Sequence, residues 1–243
     1  MKVLISQKFP SNLNPYKALE DKYGATLEFH PFFLIEPLSA KEFRSQRINL
    51  PDYTAIVFSS RHAIDAYFKL CEEMRFKVPE TMKYFCTTEL VALYLQKHVV
   101  YRKRKIFFGD GTPASLVGLI GPKHRGEKFL ITTSAESNTT PVTELFQKAG
   151  LDFTVSVMVK SVTQDLSALN LEDYGALVLY NPYDLKSLHN AFPEADLSRI
   201  ALISYGKGIA NALKKEGLSI AVEGPTPEIP SAAKAIEVFL SSK

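Results

Sequence analysis

Short apolar runs alternate along this chain with longer stretches in which apolar residues return every three or four positions. The short runs predict strands at residues 3–6, 54–58, 82–86, 99–107, 129–132, 153–162, 176–180, 200–204 and 220–223. Residues 26–38 read as a further extended stretch, because Pro31 and Pro37 exclude a continuous helix there. The longer stretches predict helices at 14–23, 60–74, 90–96, 113–120, 141–148, 185–190, 209–216 and 232–241. In the helix over 60–74, Ala63, Ile64, Tyr67, Phe68 and Cys71 share one face. Pro15 stands in the first turn of the helix over 14–23, where its missing N–H costs nothing, and Gly24 ends it. Ten strands alternating with helices, five per half, describe an α/β chain whose parallel sheets are buried on both faces.

The pattern occurs twice. Asp52-Tyr53-Thr54-Ala55-Ile56-Val57-Phe58-Ser59-Ser60 returns as Asp173-Tyr174-Gly175-Ala176-Leu177-Val178-Leu179-Tyr180-Asn181, an offset of 121. Lys2-Val3-Leu4-Ile5-Ser6 returns as Lys128-Phe129-Leu130-Ile131-Thr132, an offset of 126. Tyr84-Phe85-Cys86 and Ser204-Tyr205-Gly206, each before a helix, form a third pair at an offset of 120. A repeat near half the chain length means two copies of one domain rather than a solenoid. Two like domains form a cleft, where ligands usually bind. The long stretches 26–38 and 153–162 are candidates for a two-stranded connection between the copies.

Composition narrows the class. With 243 residues, 46% apolar and 23% charged, the chain has the make-up of an ordinary globule. Its net charge of +3 does not by itself point to DNA or to a membrane surface. Cys71 and Cys86 lie in buried-looking segments and read as reduced thiols. The first apolar run is broken at Gln7 and Lys8, too early for a signal peptide. No apolar stretch approaches the roughly 20 residues that cross a bilayer, so a cytoplasmic protein with no membrane partner is expected.

Ligands of open α/β sheets bind outside the carboxyl ends of the strands, at helix N-termini. Four such junctions carry small or polar residues: Ser59-Ser60-Arg61-His62, the loop 133–140 with Ser134, Ser137 and Asn138, Asn181-Pro182-Tyr183, and Ser204-Tyr205-Gly206-Lys207-Gly208. Taken singly, these residues are ordinary helix caps; taken together, they suggest an anion-binding cleft. Gly109-Asp110-Gly111-Thr112-Pro113-Ala114 fits G-x-G-x-x-A, but it lies late in its domain and reads better as a turn than as a dinucleotide site. The basic run Tyr101-Arg102-Lys103-Arg104-Lys105 would place Arg102 and Arg104 on one strand face and Lys103 and Lys105 on the other. Either a protected edge strand or recruitment of a polyanion would account for it. It lacks the aromatic interleaving of nucleic-acid readers. The five histidines and two cysteines have no metal-ligand spacing, and no G-x-S-x-G, P-loop or H-E-x-x-H is present.

The residues 56–68, Ile-Val-Phe-Ser-Ser-Arg-His-Ala-Ile-Asp-Ala-Tyr-Phe, resemble the "I-F-T-S-x-x-A-V-x-x-F" of uroporphyrinogen-III synthases. Ile203-Ser204-Tyr205-Gly206 with Gly217-Leu218 is similar to that family's "iGxxTaxaLxxxGl", and Pro225-Thr226-Pro227-Glu228 with Ala235-Ile236 to its closing "pTxeaxxxAI". With Tyr84-Phe85-Cys86 and the basic run, the chain looks like the form found in the Bacteroidetes branch. The resemblance implies two flavodoxin-like parallel-sheet domains, 1–37 plus 160–243 and an inserted 38–159, joined by a two-stranded β-ladder, with the active site in the inter-domain cleft. It implies a monomeric, cofactor-independent lyase of heme biosynthesis that closes linear hydroxymethylbilane to uroporphyrinogen III, with inversion of ring D and loss of water. The substrate carboxylates would meet Ser59, Ser60, Arg61, Ser134, Ser137, Asn138, Ser161, Asn181, Tyr205, Gly206 and Lys207.

The chain departs from the family pattern at several positions. Val159 stands where "V-Y-x-T" has its tyrosine, Ile209 where "iGxxT" has its threonine, and Asn181 where a serine is usual. In the other copy, Cys86 and Glu89 fall at the glycine and threonine positions. A lost general acid costs about 10²–10⁴-fold. Tyr180 and Tyr205 are the candidates to replace it. The alternative is a catalytically degenerate relative that still binds a tetrapyrrole or another polyanion.

Overall fold

A computed structural model describes residues Met1–Lys243. The chain divides into two compact units, residues 1–34 with 162–243 and residues 35–161. Its elements are β1 (Lys2–Ile5), α1 (Asn14–Tyr23), β2 (Thr26–Phe29), β3 (Phe33–Pro37), α2 (Ala40–Ser45), β4 (Ala55–Phe58), α3 (Arg61–Glu73), β5 (Lys83–Cys86), α4 (Glu89–Tyr94) and β6 (Ile106–Phe108). They continue with α5 (Pro113–Ile120), β7 (Lys128–Ser134), α6 (Thr140–Lys148), β8 (Asp152–Thr163), β9 (Tyr174–Leu179), α7 (Pro182–Ala191), β10 (Ala201–Tyr205), α8 (Lys207–Lys215), β11 (Ile220–Gly224) and α9 (Ala232–Ser241).

The first unit holds a five-stranded sheet in the order β11-β10-β9-β1-β2. The other sheet runs β3-β8-β7-β4-β5-β6. Every pairing from β1 to β2 and from β8 to β6 across these sheets is parallel. Read from the far edge, the first sheet has the flavodoxin-like order 2-1-3-4-5. The second has the same order with its chain cut elsewhere, so that β7 stands for β1, β8 for β2 and β4 for β9. The duplication holds to the residue. Val3 pairs with Ala176, and 126 residues later Phe129 pairs with Ala55, which lies 121 residues before Ala176. Likewise Lys2 lies beside Thr26 and Lys128 beside Asp152. β3 lies beside β8, and the bonds from Leu38 N–H to the Met158 carbonyl (2.9 Å) and from Gln164 N–H to the Phe32 carbonyl (3.0 Å) run in opposite senses along the chain.

Alternation within the strands fills both faces of each sheet. Ile56 and Phe58 enter one core with Tyr67 and Leu130, while Ala55 and Val57 enter another with Phe129 and Phe146. In the first unit Val3 and Ile5 pack with Ile236 and Phe239, and Leu4 with Leu185 and Leu213. Strands buried on both sides read as continuous apolar runs, which is the signal the sequence carries.

Four expectations are corrected. Residues 26–38 form two strands rather than one: the His30 N–H closes on the Ile5 carbonyl (3.0 Å) and Phe32 turns fully into the core. This makes eleven strands. The strand expected at 99–107 is confined to β6, Ile106–Phe108, because β5 offers a partner edge of four residues, of which Tyr84 to Cys86 are matched. The basic run is instead a turn in which the N–H groups of Lys105 and Ile106 both bond the Arg102 carbonyl, so its charges do not alternate on two faces. Besides these corrections, α2 answers to no expected element: it carries no apolar repeat of useful length, and a capping box between Ser39 and Glu42 starts it. Finally, Ser204 and Cys86 occupy matching rungs, an offset of 118 rather than 120 (204 − 86). Thr88, not Cys86, is therefore the counterpart of Gly206, and each is the N-cap of the helix that follows.

Candidate functional site

In each unit the strand order reverses between two neighbouring strands, β1 and β9 in one and β7 and β4 in the other. Chain leaving the carboxyl ends of such strands diverges to opposite faces of the sheet and opens a crevice. The polar residues singled out from the sequence gather at these two places, one group in each unit.

In the unit of residues 35–161, a pocket of about 180 Å³ lies over β4 and β7, lined by Ser59, Ser137, Asn138, Thr132 and Thr133 above Val57 and Ile131. The Ser134 and Ser137 hydroxyls lie 2.7 Å apart, and Asn138 Oδ1 accepts the Thr140 N–H at the start of α6 (3.0 Å). The Ser60 hydroxyl is committed to capping α3, where it accepts the Ala63 N–H at 3.2 Å. The Arg61 guanidinium lies over the Tyr94 ring, 5.4 Å from its centroid. Ser161 stands two residues beyond Val159, the partner of Ser134 at the end of β7, and its N–H donates to the Glu136 carboxylate at 2.9 Å. That bond ties the loop after β7 to β8. Val159 is 4% exposed and leaves no hydroxyl at its position.

The other unit presents a tyrosine cluster. Tyr180 directly follows β9 and Tyr205 ends β10, their ring centroids 5.8 Å apart. Tyr16 of α1 packs against the same core as Tyr180 and Tyr205, and its side chain interacts with that of Tyr180. Burial pushes the pKa of both Tyr16 and Tyr180 upward, so each remains an O–H group across the neutral range. The Tyr205 hydroxyl donates to the Pro230 carbonyl at 2.7 Å, and its ring packs over Gly224, where an added Cβ would stand 3.0 Å from it. Beneath Tyr180 lies Asp184, fully buried, whose Oδ2 accepts the N–H groups of Tyr180 (2.8 Å) and Asn181 (3.0 Å). Asn181 caps α7 by accepting the Tyr183 N–H at 2.8 Å.

The start of α8 differs. Its N-cap is Gly206, at φ 154°, and no side chain bonds the first turn. A Cβ at this position would approach the Tyr180 carbonyl oxygen to 2.9 Å. The helix therefore begins against β9, with Lys207 exposed beside the unpaired N–H groups of its first turn. Such a terminus attracts anions through both its N–H groups and the helix dipole. Ile209 is fully buried in that turn.

Gly109-Asp110-Gly111 forms no phosphate cradle. Gly109 and Gly111 N–H groups bond the carbonyls of Cys86 (3.0 Å) and Thr87 (2.8 Å), and Asp110 N–H bonds the Ser115 hydroxyl (2.9 Å). No group of histidine, cysteine and carboxylate side chains is placed to hold a metal ion. No helix is long and apolar enough to cross a membrane.

Sequence reasoning missed Ser6, Tyr16 and Asp184. The capping-box spacing from Asn181 to Asp184 was a usable sign of a special helix start. Tyr16, on a helix far away in sequence, gave none.

Similarity to known proteins bears on this arrangement. The chain aligns over its full length with a mutant uroporphyrinogen III synthase from the extremely thermophilic bacterium Thermus thermophilus, covering 100% of both chains at 16% identity and a TM-score of 0.61. It aligns comparably with uroporphyrinogen-III synthetase from Helicobacter pylori 26695, over 100% of this chain and 99% of that one, at 16% identity and a TM-score of 0.60. At that identity the likeness concerns the fold. No curated protein matches the chain. The family model "Uroporphyrinogen-III synthase HemD" matches residues 14–234, and the chain belongs to that family.

Proposed function

We propose that this chain is a uroporphyrinogen-III synthase, closing hydroxymethylbilane to uroporphyrinogen III with ring D inverted and one water lost. The family match over residues 14–234 carries the reading. The site chemistry supports it. A pyrrole expels the terminal hydroxyl once that oxygen is protonated: the proton goes to the leaving oxygen, the C–O bond breaks, water departs, and the ring nitrogen stabilises the resulting cation. The substituted carbon of ring D bonds the methylene so released, and its older bond to the ring C methylene breaks to leave a second cation, stabilised by the ring C nitrogen. The unsubstituted α carbon of ring D bonds that methylene and gives up its proton, so that ring D is inverted and the proton used at the start is returned. This sequence is redox-neutral and requires no cofactor. The protein contributes a proton donor, anchors for the substrate carboxylates and the positioning that selects the attacking carbon.

We assign the donor to the tyrosine cluster. Tyr180 is held by Asp184 through its backbone N–H and interacts with the Tyr16 side chain, while the Tyr205 hydroxyl is occupied with Pro230. Tyr16 and Tyr180 are therefore preferred over Tyr205. The carboxylate anchors are the first turn of α8 with Gly206 and Lys207, the Ser59, Ser137 and Asn138 pocket with its neighbours Ser134 and Ser161, and the start of α3 with Ser60 and Arg61. We propose a monomer working in the cytosol.

Coupling the protein to enzymatic bilane generation, and separating the oxidised uroporphyrin isomers, tests this. Spontaneous closure gives isomer I, and the proposal requires a bias toward isomer III. The second reading, a relative that binds a tetrapyrrole or other polyanion without turning it over, is favoured by buried Val159 at the family's tyrosine position. It requires isomer I alone together with saturable binding of the bilane by folded protein.

A further inference from the structure

One cavity stands away from the carboxyl ends of the strands. It lies at the opposite end of the second sheet, where β5 and β6 begin and α3 ends, and its volume is about 530 Å³. Cavities of small-molecule sites span roughly 300–1,000 Å³. We propose that this cavity is a binding site for a small aromatic carboxylate, separate from the tyrosine cluster and from the serine pocket.

Three observations carry this. The floor is apolar and largely aromatic, made by Phe68, Phe76, Met82, Tyr84 and Ile106. His98 stacks on Phe68, with centroids 4.5 Å apart and planes 4° from parallel, and Asp65 fixes the ring from behind at 2.8 Å. The stacked pair is an ordered aromatic wall against which a planar group packs without further loss of side-chain freedom. The mouth is cationic. Lys97, Arg102 and Lys105 line it against two carboxylates, Glu72 and Glu80. Lys105 is engaged with the Glu80 carbonyl, and Lys97 lies 4.4 Å from the centroid of the Tyr94 ring. Arg102 stands 3.7 Å from the Glu80 carboxylate, too far for a hydrogen bond, and its side chain is 54% exposed. Its guanidinium fork is thus available for the bidentate geometry that a carboxylate offers. The turn that replaced the expected strand at residues 99–105 is what brings Arg102 and Lys105 over this cavity.

The site is tested on the full chain with 8-anilino-1-naphthalenesulfonate, an aromatic anion whose fluorescence rises on burial, and with 1-naphthoate as the non-fluorescent competitor. One saturable site, displaced by 1-naphthoate and weakened by salt, is expected. Arg102→Glu, at an exposed position, weakens binding about tenfold or more, as loss of a charge-assisted contact does. Val78→Trp, which fills the half-buried wall, abolishes binding, while Lys207→Glu at the start of α8 leaves it unchanged. Equal affinity in wild type and Arg102→Glu overturns the proposal, as does equal binding of 1-naphthylmethylammonium. So does a self-associated dimer that excludes the dye and dissociates on Val100→Asp. None of these readings depends on isomer production.

Discussion

The Ser6 hydroxyl donates to the Asp184 carboxylate at 2.8 Å, joining the end of β1 to the first turn of α7 across 178 residues of chain. Both groups are buried, and the second oxygen of the same carboxylate has no partner. The bond spans the point where the strand order reverses and ties together the two segments that leave β1 and β9 there, beneath Tyr180. A carboxylate in this position accepts bonds that favour its charge, yet burial outweighs them and its pKa is raised.

That shift has a sign. A carboxyl group whose folded pKa lies above its unfolded value of about 3.9 holds more protons when folded, so stability declines as pH rises through the folded pKa. Asp184→Asn removes this slope. Urea unfolding from about pH 4 to 8 should show wild type losing stability relative to the variant as pH rises. Parallel curves would place the Asp184 pKa at its ordinary value.

If Tyr180 or Tyr16 delivers the proton, replacing the donor with phenylalanine lowers kcat by about 10²–10⁴-fold and leaves KM nearly unchanged. Tyr205→Phe, whose hydroxyl is bound to Pro230, costs much less. Steady-state assays of the three variants decide. Equal losses in all three would remove the distinction between donor and wall.

Gly206→Ala should destabilise the protein by about 1–3 kcal/mol, since the backbone conformation and the approach to the Tyr180 carbonyl both resist a side chain. Gly24→Ala is the comparison. Gly24 is also left-handed, at φ 61°, but nothing lies within 4 Å of its missing Cβ. Chemical denaturation should rank Gly206→Ala as the more damaging of the two, and the reverse order would mean that the close contact at 206 carries no cost.

Cys71 and Cys86 are buried, and burial pushes both thiols up to about 12. Thiolate is the reactive form, so neither should react with iodoacetamide at pH 8 in the native protein, while both should react in denaturant. Labelling of native protein followed by mass spectrometry settles the point; rapid alkylation at Cys71 would show that the floor of the large cavity opens.

The elements that the sequence displayed well are those whose signal is purely local. The runs that became β1, β4, β7, β9 and β10 are apolar on both faces, and two-sided burial leaves that mark directly on the residues. Proline and glycine punctuation located both ends of α1 and the first turn of α5. The strand expected at residues 99–107 failed for a non-local reason: its length is set by the short edge of β5 and not by its own propensity. The candidate site was legible in the same partial way. Helix-start residues such as Ser59, Asn181 and Gly206 announce themselves by type and place. The Tyr16–Tyr180 contact and the Ser6–Asp184 bond depend on tertiary meeting of distant segments, which no window of sequence contains. The third repeat was misaligned by two residues because Phe85 and Tyr205 match in aromatic character, whereas the sheet matches Cys86 with Ser204 by rung.

The different cut points of the two sheets also set an order of assembly on the ribosome. Residues 35–161 emerge as one uninterrupted stretch that contains strands β4 to β7 and all but the last two residues of β8. The first sheet cannot close then, because β1 must wait for β9, whose first residue is Tyr174. The opening strand-helix-strand segment therefore spends most of synthesis with one edge of β1 unpaired, while its counterpart around β7 finds β4 already made. The two copies share a register to the residue, yet one is born complete and the other in halves.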